Sequence, residues 1–198
     1  QIKDLEIEQI SSPGFTVKKN TLPSSLYIIP KDNPIQTNCK LPWNKEEKNP
    51  ELIIGDWAKE SSCLKPDLVI NSSKSWLCSS NIDQKQGVLP WKSSIKSDLK
   101  KSPQTCAKLL LEHLKQSFYH ENLALRSPED SHDKTELQYT ITVPASFDDL
   151  SKELTYQAAK EAGIENITLL EEPQAALYSW ISQNEKLWRN KLQAGNLI

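Results

Sequence analysis

LQYTITVPASFDDLSKELTYQAAKEAGIENITLLEEPQAALYSW, residues 137–180, decides the fold class of this chain. Leu137, Tyr139, Ile141 and Val143 alternate with Gln138, Thr140 and Thr142, the period of a half-buried strand. Pro144 ends it. Asp148 or Asp149 can cap a following helix whose apolar face carries Leu150, Leu154, Ala158 and Ala162. Gly163 suits the left-handed C-terminal cap of that helix. A second strand is expected at about 166–170, and Pro173 then opens a helix with Ala176, Leu177, Trp180 and Ile181 on one stripe. Strand, helix and strand joined by loops this short make a βαβ unit, with parallel strands and a right-handed crossover. The chain therefore reads as α/β, with residues 136–198 as its sheet core.

Upstream the pattern is looser. SLYII (25–29) and ELIIG (51–55) read as strands, and residues 31–50 between them have the composition of a loop, broken by three prolines. Ser102-Pro103 is a helix start, with serine as N-cap and proline in the first turn. Cys106, Leu109, Leu110, Leu114 and Phe118 then recur at helical spacing, giving a helix of roughly 103–120. LPW occurs at 41–43 and again at 89–91, as two proline-fixed tryptophan anchors. Residues 126–136 (RSPEDSHDKTE) are a polar linker, which divides an accessory subdomain, 1–135, from the core at 136–198.

The 198 residues are 37% hydrophobic and 25% charged, enough to build a core. A net charge of −2 gives no reason to expect a nucleic-acid or membrane partner. No apolar run is long enough to span a bilayer and no signal peptide opens the sequence. Cys39, Cys63, Cys78 and Cys106 are widely spaced without a CxxC, which reads as reduced thiols of a cytoplasmic protein. His113, His120 and His132 come with no HExxH or CxxC, so no metal site is expected from them.

Only five glycines are present, at 14, 55, 87, 163 and 195, where average usage of roughly 7% would give about fourteen. The nearest two are 32 apart, so no GxG, GG or GxxxxGK occurs. A loop that wraps a phosphate with backbone N–H groups needs close-set glycines, and none is available. The chain also has no methionine, not even an initiator, which suggests a piece of something longer.

Two stretches have chemical potential. In KSWLC (74–78), Lys74 is either a solvated lysine beside a buried Trp76 or a fixed cation able to neutralise phosphate charge. Glu171 and Glu172 fall at a strand's carboxyl end, where open parallel sheets collect their ligands. A carboxylate there either orients a magnesium-bound or attacking water, or only compensates the dipole of the next helix. Spacing alone favours the plainer reading of both stretches.

Taken together, VPASFDD (143–149), EAG (161–163) and LLEEPQAALYSW (169–180) resemble the ATPase domain of the seventy-kilodalton heat-shock chaperones, the DnaK-like family. There a strand ending Val-Pro-Ala and a helix ending Ala-Gly lead into Asn-Glu-Pro-Thr-Ala-Ala. LPSSLY (22–27), IIGDWA (53–58) and KSWLC follow the order of that family's first lobe. The likeness covers nearly the whole chain, is specific in 143–180 and weaker before 100, and is closest to a divergent bacterial branch.

The resemblance implies an actin-like ATPase (ribonuclease H-like) fold, here a partial first lobe. ATP and magnesium would sit in the cleft between two lobes of the parent protein. Hydrolysis would drive cycles of binding unfolded polypeptide clients, with co-chaperones. By position Lys74 matches the catalytic lysine, and Glu172 the glutamate near the magnesium and the nucleophilic water. Pro144 matches a proline that couples the ATPase to the client-binding domain, and Lys152 stands where an arginine usually accompanies it. Ser75, Ser146, Glu171 and Gln174 depart from the pattern. The family's two phosphate loops, Gly-Thr-Thr and GGGT, are expected before Gln1 and after Ile198. Residues 1–198 alone are therefore expected neither to bind ATP tightly nor to hydrolyse it. The rival expectation is a non-catalytic interaction module, or a decayed remnant, that no longer binds nucleotide.

Overall fold

The computed structural model describes residues 3–31, 39–44, 50–123, 137–184 and 187–191. The linker at 126–136 and most of the loop at 31–50 lie outside the described residues.

Residues 3–123 build two small antiparallel sheets. A hairpin pairs β1 (Ile7–Ser12) with β2 (Phe15–Lys19), and the turn between them uses Gly14 at a left-handed φ of 87°. In the second sheet β3 (Ser25–Ile28) lies between β4 (Leu52–Ile54) and β5 (Val69–Asn71), antiparallel to both. All four residues of β3 are buried, so SLYI is apolar because the strand is covered on both faces. Helix α1 (Asp56–Ser61) starts where Gln9, itself fully buried, accepts a 3.0 Å hydrogen bond from the Asp56 N–H. The other end of that amide donates to the Thr21 carbonyl, so a buried polar side chain has both functions satisfied.

Helix α2 (Ser73–Trp76) follows β5 directly, and the turn into it holds Ser72 at φ 54°. Helix α3 (Pro103–Leu123) is capped as expected, with the Thr105 N–H donating to Ser102 Oγ at 3.0 Å. The repeated LPW segments do anchor tryptophans against neighbours. Trp91 stacks at a tilt on Trp76, and Trp43 lies edge-on to His113 and His120. Trp76 is half-buried rather than buried.

Residues 139–184 form the βαβα run anticipated from the pattern. Strand β6 (Tyr139–Val143) pairs in parallel with β7 (Ile167–Glu171), in register from Tyr139 opposite Ile167 to Val143 opposite Glu171. Between them α4 (Asp149–Glu161) is capped by Asp148, whose carboxylate accepts from the Ser151 N–H at 2.8 Å. Gly163 ends that helix at φ 71°. One expected core residue is misplaced: Leu150 is 56% exposed. The buried face of α4 is instead Ser151, Leu154, Thr155, Ala158 and Ala159, because Ser151 and Thr155 turn their hydroxyls to carbonyls inside it. Helix α5 (Glu172–Gln183) carries its apolar stripe without burying any residue fully, and α6 (Trp188–Lys191) closes the described chain.

Packing does not stop at the linker. Leu77 just after α2 and Ala107 on α3 share one apolar cluster with Val143, Phe147, Leu154 and Leu169. Leu111 on α3 joins a second cluster with Tyr139, Ile141, Ala159 and Ile164. Among the described residues, no helix is long and apolar enough to cross a membrane.

Candidate functional site

The carboxyl ends of β6 and β7 lie side by side, as a parallel pair requires, and Lys74, Pro144, Lys152, Glu171 and Glu172 fall near them. Glu172 is the first residue of α5, directly after β7. Lys74 reaches the same place from α2, which β5 and the clustered Leu77 side chain hold against β6. Its ammonium donates to Glu172 Oε1 at 2.5 Å and to the Thr142 carbonyl at 3.3 Å. The two side chains are 98 residues apart in sequence and each is about half exposed, at 45% and 48%. An ion pair so exposed contributes about 0–1 kcal/mol to folding, so stability does not explain why the fold assembles it.

A second ion pair lies beside the first. Lys152, in the first turn of α4, donates to Glu171 Oε1 at 3.1 Å. Glu171 occupies the N-cap position of α5 without capping it and binds Lys152, while Glu172 is the acid in the first turn. Pro144 follows β6 and starts the turn, accepting from the Phe147 N–H at 3.0 Å, that leads to the α4 cap. Asp148 is held below its ordinary range by the Ser151 hydroxyl and then by the Ser151 N–H.

Three participants gave no sequence signal. The Thr142 carbonyl is backbone, and only the register of β6 aims it at Lys74. Ser151 is buried and donates to Asp148 and to the Leu77 carbonyl, which fastens α4 to the segment that carries Lys74. Ser73, one residue before Lys74, keeps a buried hydroxyl with no hydrogen-bond partner. None of these belongs to a motif; a serine on the inner face of an amphipathic helix is the only cue, and it is a weak one.

The cluster holds two cations and two anions, Lys74 with Glu172 and Lys152 with Glu171. Lys74 has three N–H donors and spends two, so one remains for an anionic ligand. Glu172 is exposed enough to accept from a water. Among the described residues no group of three or more His, Cys, Asp or Glu side chains could hold a metal ion. A magnesium ion here would rest on one carboxylate, waters and the phosphates of its own ligand. A phosphate cradle is not present among the described glycines, each of which is committed elsewhere. Gly14 turns the hairpin, Gly55 packs on Gln9, Gly87 on the Lys100 backbone, and Gly163 ends α4 beside Lys115. Lys74 and Glu172 thus set one cation and one carboxylate beyond the strand ends, with no close-set glycines among the described residues to wrap an anion.

No protein-family model matches the chain.

Proposed function

We propose that residues 1–198 are part of the nucleotide-binding lobe of a DnaK-like chaperone ATPase, with the actin-like fold of that family. What supports this reading is one convergence: Lys74 and Glu172, the two residues the sequence resemblance marks for phosphate chemistry, meet at 2.5 Å beyond a parallel strand pair. In this role Lys74 holds a cation where phosphate charge gathers, and the Thr142 carbonyl keeps the ammonium in place. Glu172 orients a water by accepting its hydrogen bond. Lys152 draws Glu171 aside, which leaves Glu172 as the carboxylate that meets Lys74. The phosphate loops come from elsewhere in the parent protein, so no step through the nucleotide is assigned to this segment. The parent couples hydrolysis to binding of unfolded polypeptides in the cytoplasm.

Calorimetric titration of residues 1–198 with Mg·ATP is expected to show no binding in the micromolar range, and tight binding would overturn the division between reactive edge and cradle. In the full-length protein, Lys74→Ala is expected to lower ATP turnover by about 10²–10³-fold, the cost of one lost charge-stabilising donor. Turnover unchanged by Lys74→Ala would refute the assignment. The commitment of all four described glycines to packing and turns favours a second reading, a lobe kept for protein contacts. A full-length protein that neither binds nor hydrolyses ATP would select it.

A further inference from the structure

Helix α2 carries Lys74 on four residues, a single turn. One turn fixes several dihedrals for few hydrogen bonds and does not hold itself together. The position of Lys74 is therefore set by what α2 is fastened to. Leu77, at the C-cap of α2, packs its side chain with Phe147 and with Leu154 of α4. Trp76 stacks on Trp91. A hydrogen bond completes the seat: Ser151 of α4 meets the Leu77 carbonyl at 3.3 Å, across 74 positions of sequence.

The Leu77 N–H in turn donates to the Lys74 carbonyl at 3.1 Å, so Ser151, Leu77 and Lys74 form one relay from α4 to the backbone of the lysine. Ser151 is 1% exposed and Leu77 2%, so neither end of the first bond has water to turn to. The next residue, Lys152, takes Glu171. The first turn of α4 thus fastens the carrier of one ion pair and holds half of the other. The Ser151 hydroxyl has one hydrogen and two acceptors, the Leu77 carbonyl and Asp148 Oδ1 at 2.5 Å. They do not need it equally. Asp148 is exposed to water and keeps the Ser151 N–H at 2.8 Å, whereas the Leu77 carbonyl is buried.

We propose that Ser151 is a positioning residue for Lys74: its hydroxyl, donated to the Leu77 carbonyl, fixes where α2 presents the ammonium to Glu172 and the Thr142 carbonyl. The inference rests on the nucleotide reading of Lys74 and adds to it a residue that touches no ligand. Without the hydroxyl, α2 shifts to find its buried carbonyl another partner, and Lys74 keeps its charge while losing its place. A displacement of about 1 Å costs roughly 10²-fold in rate. Affinity for ATP lies with phosphate loops elsewhere in the parent protein, so the loss falls on kcat and leaves KM alone. Asp148 supplies the control. Removing its carboxylate takes away the α4 cap but leaves the hydroxyl to Leu77 alone.

Steady-state ATP turnover of the full-length protein tests this. Ser151→Ala is expected to lower kcat about ten- to a hundredfold with KM for ATP unchanged. Asp148→Ala is expected to lower thermal stability and keep kcat within about twofold, since it removes only the cap. In a Lys74→Ala background, Ser151→Ala should lower kcat no further, because the group it positions is gone. An unchanged kcat in Ser151→Ala, or a further loss in the Lys74→Ala background, would overturn the proposal. If Lys74→Ala itself impairs turnover, that result leaves the nucleotide reading standing; if Lys74→Ala turns over like the unmodified protein, both fall. Should Ser151→Ala lose its native circular dichroism, Asp148→Ala decides: a retained kcat supports the role of the Leu77 bond, and a tenfold fall contradicts it.

Discussion

His113 shows how a residue unremarkable in sequence acquires a measurable property from its surroundings. It was set aside as a metal ligand, and the fold buries it between α3 and β1, where Nε2 meets the Glu8 carbonyl at 2.9 Å. Burial pushes its pKa below 6.5, and the hydrogen bond to Glu8 only partly opposes that. The unfolded imidazole therefore binds a proton that the folded one refuses. Stability from this group is complete above about pH 6.5 and falls as the pH drops below it. Urea unfolding at about pH 7.5 and pH 5.5 should show a lower midpoint at the acid pH, and His113→Gln should shrink the difference. An unshrunk difference would place the titration on another group. Glu171 and Glu172 make the same point about context: adjacent and chemically equal, they take different lysines because a strand ends and a helix begins between them.

Elements were the most legible level, and their ends more so than their middles. Ser102 and Asp148 as N-caps, and Gly163 as a left-handed terminus, follow from local backbone geometry that a few neighbouring residues specify. The end of α4 is also tied by Lys115 of α3, which donates to the Ala162 and Gly163 carbonyls at 3.0 and 2.7 Å. A Cβ at position 163 would lie 2.7 Å from that ammonium and force a side chain to φ 71°. Gly163→Ala is therefore expected to cost about 1–2 kcal/mol, read from urea denaturation. A loss well below that range would mean that the turn can relax. Where the periodic reading failed, at Leu150, the cause is the hydroxyls of Ser151 and Thr155. They satisfy themselves on carbonyls and so occupy a buried face that an apolar count assigns to leucine.

For the whole molecule, the deciding feature is the apolar cluster that joins residues on both sides of 124–136. Leu77 is 2% exposed and packs with Val143, Phe147 and Leu154. Leu77→Ala should cost about 2–5 kcal/mol. Thermal unfolding should shift as one transition, since residues 3–123 and 137–184 share this cluster. Two separated transitions would show that the two parts fold apart. The sequence by itself determined the α/β class, the βαβ order, the caps and the absence of close-set glycines, because these depend on period, φ preference and composition over a few residues. Only tertiary structure decided that Lys74 meets Glu172 and that Lys152 takes Glu171. Those outcomes depend on which strands become neighbours and in what register, which is set by long-range packing rather than by local spacing.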